Sequence, residues 1–358
     1  MVPAANESIP DYAVAPGETL AETLAELGLS QQDLATRTGH TPKMLSQIIN
    51  GKAPITSDTA VQFERVLGVP AAFWLNLERE YREALTRQRD VRDAEQADAM
   101  LARFPVREMI SRGLVARAET KASQLMTLLS FFRVGSVAQL RPDVAGAMFR
   151  KTNARRSDEY ALWTWLMEGE WKAREIPCAK YDPKTFRDAL AALRPLTRAP
   201  LREAEPQITA ACARAGVALA FVPEYPQTRV LGAARWLTPK RPTILLSYRL
   251  KREDSIWFSL FHEAGHILLR HPKTEVFISE EGGLSDEREE QANEFARNAL
   301  IPPAEWARFV ASAAISARDV QRQADAWDID PGIIAGRLKK EGRIPYSHHA
   351  ALHRSITA

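Results

Sequence analysis

Residues 256–271 place two histidines and a glutamate at the spacing of a metal-binding helix. Residues four apart lie on the same face of an α-helix, so His262 and His266 can direct two imidazoles at one ion, with Glu263 beside them. Neutral imidazoles are zinc ligands, and a catalytic zinc keeps one position for a water molecule whose pKa it lowers. The spacing therefore predicts a zinc site in which Glu263 accepts the proton of that water.

The alternative is an ordinary helix face that happens to carry two of the chain's seven histidines. With Glu at a frequency of about 6%, this pattern arises by chance in a chain of this length only about once in a hundred cases. The residues around it predict a buried helix: Phe258, Leu260, Phe261, Ile267, Leu268 and Leu269. Unpaired buried His and Glu side chains are costly, and a metal ion removes that cost. His271 lies about 140° around the helix from His266, so it is not expected to be a ligand.

A third ligand is expected from a second helix, predicted between a cap at Ser285 or Asp286 and a stop before Pro302. Glu289 lies beside the apolar stripe of this helix, one turn before Asn293. Glu289 is therefore predicted to be the third ligand, with the Asn293 amide as a hydrogen-bond partner for a ligand histidine. Glu290 stays open as a substitute.

This combination of motifs closely resembles the ImmA/IrrE type of metallopeptidase domain. The resemblance rests on His262-Glu263-Ala-Gly-His266, on residues 289–296 and on Leu300-Ile301-Pro302, and it covers roughly residues 200–345. It implies a small zincin with Zn²⁺ as cofactor. In that family the known targets are helix-turn-helix repressors, which are cut to release transcription.

Three segments before the metal-binding helix are rich in β-branched and large apolar residues and predict strands: 217–222, 230–237 and 243–246. A short antiparallel sheet is expected here, and its edge strand can hold an extended peptide by backbone pairing. Arg235 or Tyr248 could assist an oxyanion, but the sequence does not separate either from a structural residue.

Near the start of the chain, two short helices are predicted on either side of a tight turn. Ser30 caps the first, residues 38–40 form the turn, and Thr41 caps the second. The second helix is polar on one face and apolar on the other, which is the helix-turn-helix arrangement. The predicted DNA-binding residues are Thr41, Lys43, Ser46 and Gln47 in the major groove, Asn50 and Lys52 near the phosphates, and Arg37 close to the same face.

Residues 16–80 closely resemble the Xre-type helix-turn-helix and, within it, the HigA-type antitoxins, on the phrases at residues 50–60 and 73–76. The resemblance implies a five-helix bundle that binds operator DNA as a homodimer and autoregulates an operon with a toxin. One observation opposes DNA binding: the first eighty residues carry more Asp and Glu than Lys and Arg, whereas phosphate neutralisation dominates affinity for DNA. A bundle that instead recognises a protein partner stays open.

The other segments are less specific. Residues 1–15 are expected to be a flexible lead-in, 81–199 a helical middle region whose tryptophans 163, 165 and 171 are core, and 346–358 a tail with solvated histidines. Residues 317–342 predict a pair of helices that serve as a lid or packing element. A second DNA-binding unit is the alternative there, because basic residues cluster at Arg337, Lys339, Lys340 and Arg343.

Bulk properties fit an ordinary soluble chain with a net charge of +3. A length of 358 residues accommodates two or three domains. No apolar run reaches membrane-spanning length and the start lacks a secretion signal, so a cytoplasmic protein without membrane contact is expected. Cys178 and Cys212 lack metal-ligand spacing and are expected to be two buried thiols.

Together these features predict a multidomain, mainly α protein with an N-terminal five-helix bundle, a helical middle region and a C-terminal α+β zincin-like domain. The predicted function is a DNA-binding, antitoxin-like regulator fused to a zinc metallopeptidase that cuts a repressor, a toxin or the chain itself. The alternative is a HigA-type antitoxin or repressor whose zincin domain senses a ligand or partner without cutting.

Overall fold

The computed structural model describes residues 14–93, 98–142, 157–273, 275–281, 286–311 and 315–356. They divide into two compact units. One comprises the chain up to Asp98 together with Thr120–Ser123, and the other comprises Ala99–Glu119 and the chain from Gln124 onward. Apart from Val14 and Ala15, the lead-in predicted at residues 1–15 lies outside the described residues.

Five helices form most of the first unit, as predicted: α1 Pro16–Glu26, α2 Gln31–Thr38, α3 Pro42–Ile49, α4 Ser57–Leu67 and α5 Ala71–Asp93. The caps are the expected ones, because the Ser30 hydroxyl accepts a hydrogen bond from Asp33 N–H and the Thr41 hydroxyl accepts one from Met44 N–H. Residue 80 lies inside α5, which continues for four more turns.

The core of this bundle is a compact apolar cluster that includes Leu20, Leu34, Leu45, Ile48, Phe63 and Trp74. Gly17 allows α1 to pack directly on the end of α3. A Cβ at this position would lie 2.0 Å from the carbonyl oxygen of Ile49, far inside van der Waals contact. The close approach fixes the position of α3, the helix predicted to contact DNA.

The helices that follow are α6 Asp98–Leu101, α7 Val106–Ser111, α8 Lys121–Phe132, α9 Glu159–Glu175, α10 Pro183–Leu193, α11 Leu201–Arg214, α12 Glu253–Leu268, α13 Glu287–Leu300, α14 Pro303–Phe309, α15 Ala317–Trp327 and α16 Pro331–Lys340. Short 3₁₀ turns occupy Val137–Gln139, Arg194–Arg198 and Ala350–Leu352. In α9, Trp163 and Trp165 are fully buried, as predicted, and Trp171 is half-buried with its indole N–H donated to the Phe131 carbonyl.

One four-stranded sheet lies in the second unit, with strands β1 Ala218–Phe221, β2 Val230–Thr238, β3 Arg241–Leu246 and β4 Phe277–Glu280 in the order β1-β3-β2-β4. The prediction of a wholly antiparallel sheet needs correction, since β1 runs parallel to β3 while the other pairs are antiparallel. The connection at residues 222–229 does not form a hairpin between β1 and β2. The strand that pairs with β1 is therefore β3 and not β2.

The long apolar helix α12 is sandwiched between this sheet and the helices α13 and α16, within one continuous core. Gly265 lets α13 come close, because a Cβ there would lie 3.1 Å from Ala292 Cα. Both cysteines are free thiols; Cys212 is buried, as predicted, and Cys178 is half-buried. Among the helices described, none has the length and apolar character needed to cross a membrane.

Candidate metal centre

The last two turns of α12 hold the three polar residues of the HExxH pattern inside the protein. His262 is 5% exposed, Glu263 is fully buried and His266 is 2% exposed. Apolar neighbours on every side of the helix explain this burial, because the helix lies beneath the sheet on one side and beneath α13 on the other.

Glu289 reaches the two histidines from the first turn of α13, where Asp286 caps the helix by accepting hydrogen bonds from Arg288 N–H and Glu289 N–H. One ligand atom from each of His262, His266 and Glu289 lies within 4.8 Å of the others. The two Nε2 atoms are 3.1 Å apart, and the Glu289 carboxylate oxygens lie 3.2 Å from Nε2 of His262 and 3.5 Å from Nε2 of His266.

The other nitrogen of each imidazole is held by a hydrogen bond. Nδ1 of His262 lies 3.0 Å from Asn293 Oδ1, and Nδ1 of His266 lies 2.9 Å from Nδ1 of His271. Nε2 of His271 is in turn 3.1 Å from Gln291 Oε1. In one assignment of the protons, Nδ1 of His262 and Nδ1 of His266 each donate to their partners, Asn293 and His271. His271 then donates from Nε2 to Gln291, and the Nε2 lone pairs of His262 and His266 point at the same position.

Burial and charge keep the two histidines in different states. Burial lowers the pKa of His266 to about 2, helped by the nearby charges of His262, His271 and Arg288, so this imidazole stays neutral. Burial also opposes protonation of His262, but the hydrogen bond that its imidazole donates to the Glu289 carboxylate and the negative charge of Glu263 outweigh it and raise the pKa. Protonation is therefore favoured at His262 and disfavoured at His266.

Glu263 is fixed between α12 and the sheet. Ser279 of β4 donates a hydrogen bond of 2.7 Å to its Oε1, while Oε2 is buried without a partner among the described residues. Burial raises the pKa of Glu263 to about 8, against the lowering effects of His262 and Ser279. Gly232 of β2 makes room for this carboxylate, since a Cβ there would lie 2.7 Å from Oε1.

A groove of about 790 Å³ leads from His262 and Glu289 to the end of α16. One wall is β4, the edge strand of the sheet, which pairs only with β2 in the sheet order. An edge strand presents unpaired backbone N–H and C=O groups, so it offers a surface for an extended peptide beside the ligand cluster.

Other residues singled out in the sequence lie away from this cluster. Glu290 is paired with Arg297 at 2.6 Å, and that bond lowers its pKa. Arg235 donates to Glu170 of α9 at 2.8 Å, and the Tyr248 hydroxyl donates to Glu205 at 2.8 Å. Neither side chain lines the groove, so both are structural in this arrangement.

The residues predicted to contact DNA lie on and around α3. Lys43 and Gln47 are exposed one turn apart on the same face, with Ser46 half-buried beside them. Thr41 and Asn50 are exposed but also serve the helix ends, through Met44 N–H and the Ser46 carbonyl. Arg37 at the end of α2 and Lys52 just beyond α3 are exposed.

At the C-terminal end, one expectation is wrong and one alternative loses support. His353 is not solvated: its side chain is 7% exposed, because Asp254, Arg252 and Lys339 enclose it. The basic cluster proposed as a second DNA-binding unit is divided, since Arg337 is bonded to Glu341 at 2.9 Å and Lys339 is buried against His353.

Sequence reasoning missed three residues that shape the site. His271 was set aside because of its angle on a regular helix, but α12 ends at Leu268 and the chain turns back, bringing His271 onto His266. Ser279 was missed with the short strand that carries it. Gly232 lies in the strand predicted at residues 230–237, and a glycine in a predicted strand is the signal of close backbone approach that could have identified it.

We expect His271→Ala to weaken zinc binding by roughly 10–100-fold, the usual effect of removing an outer partner of a ligand histidine. The change leaves all three ligand atoms in place but frees the His266 ring to rotate. Competition titration with a fluorescent chelator measures it. His348→Ala, which alters an exposed histidine, is the matched control, and equal affinity in both variants would contradict the positioning role.

Two family models match separate parts of the chain. The helix-turn-helix family model matches residues 20–74, and the model described as an IrrE N-terminal-like domain, of peptidase family M78, matches residues 224–334. An uncharacterised HTH-type transcriptional regulator of Escherichia coli strain K12, YddM, is 33% identical over 63 residues, which are 18% of this chain and 67% of that protein.

Two solved structures are similar to the N-terminal region. An addiction module antidote protein of the HigA family from Coxiella burnetii is 32% identical over 24% of this chain and 92% of its own, with a TM-score of 0.22. The Pseudomonas aeruginosa antitoxin HigA, solved with the higBA promoter, is 28% identical over 24% of this chain and 94% of its own, with a TM-score of 0.22. The chain therefore belongs to the HTH-type transcriptional regulators through its N-terminal domain and carries an IrrE N-terminal-like peptidase domain in its C-terminal half.

Proposed function

We propose that this protein is a DNA-binding, antitoxin-like regulator whose C-terminal domain is a zinc metallopeptidase that cuts a regulatory protein. The observation that carries the peptidase half is the convergence of His262, His266 and Glu289 on one point, directly beside the buried Glu263. A set of two imidazoles and one carboxylate, with no fourth His, Cys, Asp or Glu ligand among the described residues, is the open ligand set of a hydrolytic zinc site.

The donor set fits zinc for a reason visible in the hydrogen bonds. Two Nε2 atoms 3.1 Å apart, each on a ring whose Nδ1 is held by an outer partner, repel each other unless a proton or a cation lies between them. Zinc held here would supply Lewis acidity to a peptide carbonyl and lower the pKa of a bound water.

The chain's own residues have separate roles in this hydrolysis. Glu263 is the general base in its ionised form, which a cation bound nearby would favour against the burial that raises its pKa; its carboxylate is oriented by Ser279 and its second oxygen has no partner among the described residues. The edge of β4 holds the substrate backbone in an extended conformation, and the burial of the site excludes bulk water. Asn293 and His271 keep the two imidazoles in place.

The first test is elemental analysis of the purified protein together with a mass-spectrometric search for new protein termini. The search covers cells that express the wild-type chain and cells that lack it. We expect about one zinc per chain and at least one cut regulatory protein, which includes the chain itself as a possible substrate. A chain that takes up no transition metal from a zinc-containing buffer contradicts the proposal.

For the regulatory half, we propose that a homodimer binds operator DNA through α3. Lys43→Ala and Gln47→Ala should each weaken binding to the chain's own promoter roughly tenfold, the usual cost of losing one base or phosphate contact. Gel shift at fixed salt measures it. Arg79→Ala removes a similarly exposed charge from α5 and should leave binding unchanged. Equal effects of all three changes would favour a bundle that recognises a protein partner.

A further inference from the structure

The groove that starts at the ligand cluster has an apolar floor and exposed apolar residues at its rim. Phe258, Leu300, Ile301 and Ile333 line it, and at its edge Leu250 is 37% exposed and Tyr346 is 73% exposed. A volume of about 790 Å³ exceeds what one side chain fills, so it accommodates several residues of a bound chain.

The far end of this groove, formed by the end of α16 and the start of α12, is basic. Four basic side chains line it: Arg252, Arg337, Lys339 and Lys340. The two acidic side chains there are already engaged, Asp254 with Arg252 at 2.6 Å and Glu341 with Arg337 at 2.9 Å. The positive charge of this end therefore comes from the two lysines.

Neither lysine has a carboxylate within ion-pair distance among the described residues. Lys339 is buried and its ammonium donates to Nε2 of His353 at 2.8 Å, which requires that nitrogen to be unprotonated. Lys340 is exposed at the same basic end of the groove. Its charge acts on Glu290, which is already paired with Arg297. Lys340 is therefore available to a ligand, and Lys339 adds to its positive field.

The helix α12 gives the distance between this basic end and the ligand cluster. Gly336 of α16, one turn before Lys340, lies against Asp254, since a Cβ there would be 3.3 Å from Asp254 Oδ2. Asp254 and His262 are separated by about 12 Å along α12, given a rise of 1.5 Å per residue. An extended peptide covers that distance in roughly three to four residues.

We propose that the groove binds an extended segment of another protein that carries an acidic side chain at a fixed position relative to the scissile bond, held by Lys340. This inference rests on the proposed peptidase function and names its substrate class. The apolar floor binds the intervening side chains, and β4 pairs with the backbone.

The test selects ligands from a random dodecapeptide display library on immobilised Glu263→Gln protein, which holds peptides without cutting them. We expect Asp and Glu to be enriched at one position. In Glu263→Gln/Lys340→Glu the preference should change to Lys and Arg, while in Glu263→Gln/Lys184→Glu, which alters an exposed lysine of α10, it should stay acidic.

Fluorescence anisotropy then measures how the affinity for one selected peptide changes when the charge of its acidic residue, the charge of residue 340, or both are reversed. Exchanging its acidic residue for Lys should weaken binding to the parent about fivefold and strengthen binding to the Lys340→Glu variant by a similar factor. A selection without acidic preference, or a preference that Lys340→Glu leaves unchanged, overturns the inference. The proposed peptidase function fails separately, by the absence of metal uptake and of cut products in the wild-type protein.

Discussion

Glu263→Gln should abolish proteolysis and leave the metal in place. A general base in hydrolysis contributes roughly 10²–10⁴-fold to the rate, and glutamine has the shape of glutamate but cannot accept the proton of the attacking water. The Ser279 hydroxyl can donate to the amide oxygen as it does to Oε1, so the side chain keeps its place beneath β4. The measurement is the rate of cutting of a protein identified as a substrate, together with zinc content.

The control for this variant is Glu203→Gln, the same change in an exposed carboxylate of α11 that does not line the groove. It should cut at close to the wild-type rate. A Glu263→Gln protein that cuts as fast as the wild type would remove Glu263 from the base role. If the variant keeps its zinc, stops cutting and still regulates its operon normally, the domain acts as a sensor instead of a protease in that response.

The HExxH helix was predictable because its signal is local. Two histidines four residues apart share a helix face whatever the rest of the chain does, and the apolar residues around them indicate burial. The same holds for the N-terminal bundle, where Ser30 and Thr41 cap the helices that the sequence assigns to them. Local periodicity and capping need no knowledge of tertiary contacts.

What could not be predicted depends on how distant segments meet. The parallel pairing of β1 with β3 arises from the path of residues 222–229, for which the sequence has no periodic signal. β4 is as short as β1, but its sequence Phe-Ile-Ser-Glu has neither the apolar run of β1 nor an alternation of apolar and polar residues. The role of His271 depends on where α12 ends, and helix ends are the least certain part of any prediction from sequence.

Glu289→Gln should remove zinc, whereas Glu290→Gln should not. Both changes take one negative charge from the first turn of α13, so their effects on the helix are matched. Only the Glu289 carboxylate lies within ligand distance of the two imidazoles; that of Glu290 is bonded to Arg297. We expect the Glu289 variant to lose at least about 100-fold in zinc affinity, more than removal of an outer partner costs, because a neutral amide is a poor ligand for zinc.

Chelator competition on both variants and the wild type measures this difference, and circular dichroism checks that α13 stays helical. The two variants also decide whether Glu289 or Glu290 is the third ligand, which the sequence leaves open. Adjacent residues on a helix point about 100° apart, so only one of the two can face α12. Zinc loss in Glu290→Gln with retention in Glu289→Gln would show that α13 is rotated by one residue relative to the arrangement described. Retention in both would show that a carboxylate from outside α13 completes the site, and the open ligand set on which the hydrolytic mechanism depends would have to be assigned again.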